Sequence, residues 1–267
     1  MTESAWKVAM DGDGLTITGD GFSLTTNSSE PGNLDSVVSG LQGVVRGTYG
    51  QYCGLARAIE AVGERWGLLI VRDLLTNPKS TTELHDGLPG VPLNLLSMRI
   101  KEMAFVGILE KAGTTDADGH DQYKLTRYGK RLEDILLAMG RWGSAMLAEP
   151  RPEDIVTEDS LMVAMRATFL PDAAADRSVR YEMRFGDITI HVVIEDGQLE
   201  VGRGPLPGAP VIEPGPTMKD LLSRAMTVEE AIASGLVRRV DGGAKMLHDF
   251  LSMFALPYQP VPQRSLV

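Results

Sequence analysis

Histidine is the residue type in this chain most suited to acid–base or metal chemistry, and the four histidines are scattered along the sequence. Three are followed by an aspartate: His85–Asp86, His120–Asp121 and His248–Asp249. Adjacent residues on a helix do not face each other, so these pairs do not make metal clamps by their spacing. His191 lies in a predicted strand between Ile190 and Val192, where we expect it to face outward.

Other signatures of catalysis are missing from the sequence. It contains no GxSxG, no phosphate-binding loop, no dinucleotide fingerprint and no HExxH. The run DGDG at 11–14 starts like a calcium loop, but the later ligands and the closing Glu are missing, so we expect a turn. The single cysteine, Cys53, excludes an internal disulfide and a thiolate-rich zinc site. We expect no catalytic residues, no metal and no cofactor. The sequence therefore favours a protein that is not an enzyme.

The balance of charge limits which partners the chain can bind. Its 267 residues carry 26 Lys and Arg against 36 Asp and Glu, which gives a formal net charge of −10. This charge excludes a protein that holds nucleic acid by bulk positive charge. Residues 49–150 are nearly neutral, with 12 basic and 13 acidic groups, and are the candidate segment for contacting a polyanion. The sequence shows no secretory signal and no apolar run of 18 residues, so we expect a cytoplasmic protein with no membrane contact.

Hydrophobic periodicity predicts the elements that must position any site. Residues 1–48 are predicted to form an unassigned extension of three short strands followed by a helix over 33–45. Residues 49–149 read as four helices, two strands around a polar loop, and a long helix over about 127–147. Ser80 to Glu83 form a capping box for the third helix, and the fourth spans about 93–105. Residues 149–153 read as a charged, proline-bearing linker.

The pattern changes beyond the linker. Residues 150–256 predict a helix over 161–170, alternating strands over 178–203, further strands near 209–213 and 236–240, and helices after Thr217, after Thr227 and over 244–254. Residues 257–267 read as an extended, proline-punctuated tail. The fold class is therefore α+β.

The order of helices, recognition helix and two-stranded wing is that of a winged helix-turn-helix. Residues 52–147 resemble the HxlR-type subgroup of MarR-like bacterial transcription regulators, through YCGLARAIEAVGERWGLLIVRDLL, LPGVPLNLLSMRIKEMAFVGIL and YKLTRYGKRL. The resemblance implies a homodimer, joined through its outer helices, that reads a pseudo-palindromic operator in double-stranded DNA. We expect the helix over 127–147 and the helix near Cys53 to form the dimer, with the helix over 33–45 as a candidate addition.

DNA recognition needs cations at phosphates and donors at base edges. The candidate DNA-binding residues are Lys79, Asn94, Ser97, Arg99, Lys101, Lys124 and Arg127. For Arg99 and Lys101 the alternative is an ordinary solvated helix face. The sequence also departs from the family: Pro92 stands where a Ser cap is usual and Thr81 where an aromatic is usual. The wing tip TTDADGHD carries three aspartates and no cation before Lys124, and this charge is expected to weaken binding to phosphates.

The same resemblance suggests that Cys53 senses electrophiles or oxidants. A reactive thiol needs exposure and a lowered pKa, which Arg57 one turn later can help to provide. The alternative is a cysteine packed in the dimer interface.

Residues from about 155 to 256 resemble the sterol-carrier-protein type 2 fold, through a β-meander, a strand and MKDLLSRAMTVEEAIASGLVRRVDGGAKMLHDFL. The resemblance implies an α/β sandwich, a curved sheet covered by helices around an apolar cavity for lipid-like molecules. The candidate ligand-binding residues are Tyr181, Met183, Phe185, Ile190, Val192, Leu222, Met226, Phe250 and Phe254. The alternative is that these residues fill a hydrophobic core.

The leading hypothesis is a dimeric transcription regulator whose C-terminal domain binds a hydrophobic small molecule, with binding at one site biasing the spacing of the two DNA-reading helices. The rival hypothesis is a winged-helix scaffold that no longer binds DNA and instead binds or transforms a hydrophobic metabolite of secondary metabolism in an apolar cleft. A positive surface around the recognition helix favours the first hypothesis, and a negative or covered surface favours the second.

Overall fold

A computed structural model describes residues 7–11, 14–19, 22–27, 48–147 and 151–256. The chain divides into two compact units, Met1–Glu60 and Ala61–Val267. The boundary expected after residue 149 lies inside the second unit. The helix expected over 33–45 and the tail 257–267 lie outside the described residues.

The first unit contains an antiparallel meander of β1 (Lys7–Asp11), β2 (Gly14–Gly19) and β3 (Phe22–Asn27), in that order. Asp11 pairs with Gly14 and Gly19 with Phe22, so each hairpin is closed by two residues. These are the three strands that the alternation and the Asp-Gly and Gly-Asp turns predict. Helix α1 (Gly54–Val62) follows, and its last two residues belong to the second unit.

The second unit opens with a winged helix-turn-helix of the α+β class. Its elements are α2 (Gly67–Leu74), β4 (Lys79–Ser80), α3 (Thr81–Gly87), α4 (Leu93–Phe105), β5 (Leu109–Thr115), β6 (Asp121–Leu125), α5 (Arg127–Lys130) and α6 (Glu133–Gly143). The strands form a sheet in the order β4-β6-β5, in which β5 and β6 are the wing. The expected capping box is present, because Ser80 accepts a hydrogen bond from the Glu83 amide and Glu83 accepts one from the Ser80 amide.

The long helix expected over 127–147 is divided between α5 and α6, with a 3₁₀ turn over Ser144–Met146. The interruption is slight, because Arg131 and Leu132 keep right-handed helical backbone angles. Among the described helices, none combines the length and the apolarity needed to cross a membrane.

The C-terminal part is a five-stranded sheet with helices packed on one face. Its elements are α7 (Glu158–Thr168), β7 (Ser178–Phe185), β8 (Ile188–Glu195), β9 (Gln198–Arg203), β10 (Val211–Glu213), α8 (Met218–Ser223), α9 (Val228–Ala233), β11 (Arg239–Val240) and α10 (Gly243–Ser252). The strand order is β11-β10-β7-β8-β9, with β10 parallel to β7. Alternate residues of β7 and β8, such as Met183, Ile190 and Val192, are buried beneath α7 to α10.

Helix α7 joins the C-terminal part to the winged helix within the second unit. The Arg166 guanidinium forms an ion pair with Glu133 of α6 and lies 3.4 Å from the carbonyl oxygen of Leu75. A side chain of α6 also contacts α7, because Arg141 donates a hydrogen bond of 3.0 Å to the carbonyl of Ala167. Asp159, near the start of α7, contacts the turn that follows α2. Contacts at both of its ends thus hold α7 on the winged helix.

Candidate functional site

Helix α4 presents a polar stripe to solvent and an apolar stripe to the core. Leu96, Ile100 and Met103 are buried, at the helical spacing that the sequence predicts. On the opposite side, Asn94 and Lys101 are exposed and Ser97 is half-buried. We call Asn94, Ser97 and Lys101 the α4 stripe. It offers an amide, a hydroxyl and an ammonium group on one side of the helix, groups that can bind base edges and phosphates.

Arg99 lies on the buried side of α4 and not on the stripe. Arg99 is 5% exposed, and its guanidinium pairs with Glu64 at 3.0 Å and with Glu102 at 2.6 Å. A buried guanidinium needs such partners because leaving it unpaired is costly. Arg99 is therefore not offered to DNA in this structure, contrary to the expectation from the sequence. Its position three residues after the buried Leu96 was the available signal.

Lys79 is also withdrawn from the surface. It is 4% exposed, and its ammonium group lies 2.7 Å from Asn77 Oδ1 and 3.2 Å from Asp159 Oδ1. Burial lowers the pKa of Lys79, while the Asp159 carboxylate acts in the opposite direction. Asp159 also accepts hydrogen bonds from Thr76 and Arg203. These contacts form a buried polar cluster in which the charge of Lys79 is paired inside the protein. Lys79 is therefore not placed to contact a phosphate, contrary to the expectation from the sequence.

The wing carries less unpaired negative charge than its sequence suggests. Asp116 closes the turn, because its carboxylate accepts hydrogen bonds from the amides of Asp118 at 3.0 Å and His120 at 2.8 Å. A hydrogen bond from the Ser80 side chain, together with that from the His120 amide, lowers the pKa of Asp116 to about 2. Asp121 pairs with Lys111 at 2.5 Å. Two of the three wing carboxylates therefore have structural partners.

Lys124 and Arg127 lie at the base of the wing. Lys124 is half-buried and its ammonium group lies 3.4 Å from Glu110. Arg127 is exposed in the first turn of α5. Thr126 caps this helix, because its side chain accepts a hydrogen bond from the Gly129 amide. Lys130 and Arg131 are exposed beside it. Sequence reasoning missed these two, although the run RYGKR places three cations within one helical turn. None of the three forms an ion pair within the described part of the chain.

Helix α6 exposes an apolar stripe. Four exposed apolar residues recur at helical spacing, with Trp142 exposed by 72%: Ile135, Met139 and Trp142 on α6, and Met146 in the 3₁₀ turn that follows it. On α1, Leu55 and Ile59 are likewise exposed. Monomeric proteins seldom leave such apolar stripes in water. These are the two helices that the sequence assigns to dimer formation.

Cys53 is exposed and immediately precedes the first residue of α1. Hydrogen bonds from the backbone amides of Ala56 and Leu55 lower the pKa of the thiol. The expected helper, Arg57, is engaged elsewhere, because its guanidinium pairs with Glu60 at 2.8 Å. The start of the helix, and not Arg57, therefore stabilises the thiolate.

The nine candidate ligand-binding residues lie in or against one hydrophobic core. Seven of them are buried: Tyr181, Met183, Ile190, Val192, Leu222, Phe250 and Phe254. Phe185 and Met226 pack against that core and are partly buried. The Phe250 and Phe254 rings stack at 4.6 Å, and Tyr181 meets Phe250 edge-on at 5.3 Å. Among the nine, only Tyr181 lines the cavity of about 560 Å³ that the structure shows in this part of the chain.

A sequence model of the HxlR-like helix-turn-helix family matches residues 61–151. The uncharacterized HTH-type transcriptional regulator Mb3122 of Mycobacterium bovis is 33% identical over 99 residues, which are 37% of this chain and 61% of that protein. The uncharacterized HTH-type transcriptional regulator YvaP of Bacillus subtilis is 30% identical over 88 residues, 33% of this chain and 82% of that protein.

Among solved structures, the reduced form of the transcriptional regulator YodB from Bacillus subtilis is 24% identical. The superposition covers 38% of this chain and 100% of YodB, with a TM-score of 0.32. The family match covers the residues that form the α4 stripe, the wing and α6. Through residues 61–151, the chain belongs to the HxlR-like helix-turn-helix family.

Proposed function

We propose that this chain is a dimeric transcription regulator that reads double-stranded DNA through the α4 stripe and binds a hydrophobic small molecule in its C-terminal part. The observation that carries the proposal is the α4 stripe itself. Asn94, Ser97 and Lys101 share the solvent side of a helix whose other side is anchored in the core. In a helix-turn-helix protein, the residues in that position face the major groove.

Exposed cations of the winged helix support contact with a phosphate backbone. Lys101, Arg127, Lys130 and Arg131 are exposed and lack carboxylate partners among the described residues. Asp121 pairs with Lys111, so it repels phosphates less than a free carboxylate does, whereas Asp116 is held by neutral amides and keeps its charge. These four cations offset part of the net charge of −10 in this part of the chain.

The exposed apolar stripe of α6 supports a symmetric homodimer, with α1 as a second contributor. A two-fold axis places the same surface of both copies in contact, so each exposed stripe covers the other. Two winged helices related by that axis present two α4 stripes to the half-sites of a palindromic sequence.

The hydrophobic ligand is the finer part of the proposal. The resemblance to the sterol-carrier-protein fold supports it, together with a sheet whose one face is covered by helices. Helix α7 gives a route for coupling, because it packs on α6 and also on β8 and β9. A ligand that shifts β8 or β9 can therefore bias the orientation of α6 through α7. The orientation of α6 in turn affects the arrangement of the two copies in the dimer.

Fluorescence anisotropy of the full chain on DNA from upstream of its own gene tests the proposal. We expect tighter binding to that DNA than to unrelated DNA, with affinity that falls as salt rises. Arg127→Ala should weaken binding to both DNAs and reduce the salt dependence by about one phosphate contact. Lys245→Ala is the matched control, because Lys245 is exposed on α10 and belongs to the C-terminal part. Absence of any preference for the upstream DNA at low salt would contradict the proposal.

A second candidate is the winged-helix scaffold that no longer binds DNA. It is favoured by the burial of Lys79 and Arg99 in ion pairs, and by a start of α4 at Pro92 that lacks a side-chain cap. The anisotropy experiment separates the two candidates, since this one requires equal and weak binding to both DNAs.

A further inference from the structure

The sheet of the C-terminal part has a gap along one edge of β7. Strand β10 pairs with β7 only at Glu182 and Met183, whereas β7 begins four residues earlier, at Ser178. Over residues 178–180, β7 has β8 on one side and no strand on the other among the described residues. The cavity of about 560 Å³ lies at this gap, which we call the edge slot. It is lined by Ser178, Val179, Arg180, Tyr181, Val193, Ile194, Glu195, Leu206, Pro210 and Met246.

Backbone hydrogen-bonding groups of β7 point into the edge slot. The Glu182 amide donates to Pro210, on the side away from β8, at 2.9 Å, whereas the Arg177 carbonyl accepts from Asp196 at the β8 end. Because these directions alternate along an antiparallel strand, the amide and carbonyl of Arg180 point the same way as the Glu182 amide. They are placed to pair with an extended chain, as an exposed strand edge does when a peptide adds to it.

The side chains of the edge slot separate into an apolar side and a charged side. Val179, Ile194 and Met246 supply apolar surface on the core side of the sheet. Tyr181, on the same side, is 4% exposed, and its hydroxyl has no hydrogen-bond partner among the described residues. The edge slot therefore offers an apolar surface on the core side of β7.

Arg180 lies on the opposite side of the strand. It is exposed, and its guanidinium forms no ion pair within the described part of the chain. Glu195 also lines the slot, but it belongs to β8, where it pairs with Ser178, so β7 separates it from the open edge. Of the two charges, the guanidinium is therefore the nearer to a ligand at the β7 edge.

We propose that the edge slot binds an extended amphipathic ligand with an amide and a carboxylate, of the N-acyl amino acid class. The amide pairs with the backbone of Arg180, the acyl chain lies against Val179 and Met246, and the carboxylate faces the Arg180 guanidinium. A volume of about 560 Å³ is in the range of small-molecule sites. This inference rests on the proposed function, and it names the chemical class of the hydrophobic ligand.

Isothermal titration calorimetry of the full chain with N-octanoylglycine tests the edge slot. We expect saturable binding of one molecule per chain. N-Octanoylsarcosine, in which a methyl replaces the amide hydrogen, should bind about tenfold more weakly because the hydrogen bond to the Arg180 carbonyl is lost. Arg180→Gln should weaken binding of N-octanoylglycine by a similar factor. Arg177→Gln, a nearby exposed cation that does not line the slot, should change the affinity less than twofold.

Equal affinities for the two probes, an unchanged affinity in Arg180→Gln, or heats that do not saturate would each overturn the edge slot. Anisotropy measured on the same preparations distinguishes this failure from that of the proposed function. Sequence-preferring DNA binding without probe binding overturns the slot alone. Probe binding in a chain without any DNA preference supports the slot and contradicts the regulator.

Discussion

The thiol of Cys53 shows how a neighbouring backbone can prepare a reactive group. The amides at the start of α1 lower its pKa, and we propose that it reacts with electrophiles or oxidants. The thiolate is the reactive form, so the folded chain should alkylate at half-maximal rate at a lower pH than the urea-unfolded chain. The rate of iodoacetamide modification against pH measures this difference.

The cause of the lowered pKa is tested separately by Arg57→Gln. Because Arg57 pairs with Glu60, its removal should leave the pH profile of Cys53 alkylation almost unchanged. A profile that moves to that of the unfolded chain would assign the activation to the guanidinium instead, as the sequence suggested.

Single residues also show how far sequence reasoning reaches. The capping box at Ser80 and Glu83 was predictable because all of its determinants lie within four residues. The burial of Lys79 was not, because its partner Asp159 is 80 residues away and meets it only after both parts have folded. Arg99 was expected to face DNA, although its spacing from Leu96 is compatible with the apolar side; its partner Glu64 lies 35 residues earlier.

At the scale of elements, α5 is held on the wing by a glycine. A side chain at Gly129 would fall on the carbonyl oxygen of Ile108, just before β5. Gly129→Ala should therefore destabilise the protein by about 1–3 kcal/mol, as overpacking of a close contact does. Urea unfolding followed by circular dichroism gives the free energy of unfolding.

Gly140→Ala on α6 is the matched control for this contact. A methyl there meets no atom within 4 Å, so the variant should be as stable as the parent or gain up to about 1 kcal/mol of helix propensity. Equal losses in both variants would indicate that α5 is not packed closely on the wing.

Helix α7 depends on Asp159 for its attachment to the winged helix. Asp159→Ala leaves the Lys79 ammonium buried without its carboxylate, and should cost about 3–5 kcal/mol of unfolding free energy. The double variant Lys79→Met with Asp159→Leu removes both charges and should recover much of that loss. A cost below about 1 kcal/mol for Asp159→Ala alone would show that the buried polar cluster does not hold the two parts together.

The helices and strands were largely predictable from the sequence, whereas the contacts between distant elements were not. Periodicity located α4, the wing strands and the hairpins of the C-terminal sheet within a few residues. The helix expected from residue 161 begins at Glu158, because Thr157 and Ser160 form a capping box that the sequence reading overlooked. The parallel pairing of β10 with β7, which creates the edge slot, depends on contacts distant in sequence and has no local signal.

At the scale of the whole molecule, the exposed stripe of α6 should bring two copies together. Light scattering is expected to give the mass of a dimer at micromolar concentration. Trp142→Glu places a charge at the most exposed position of the stripe and should shift the protein to monomers. Lys245→Glu, at an exposed position on α10, should remain a dimer. A parent chain that is monomeric would contradict the proposed symmetric reading of DNA.

The central claim is that the α4 stripe reads a base sequence. The most direct test compares Asn94→Ala with Lys101→Ala on the preferred upstream DNA and on versions with single base changes. Asn94 presents an amide that can recognise a base edge, so its loss should weaken binding by about 1–3 kcal/mol and relax the preference at one position of each half-site. Lys101 presents a point charge, so its loss should weaken all versions about equally. Unaltered affinity and preference in both variants would contradict the claim.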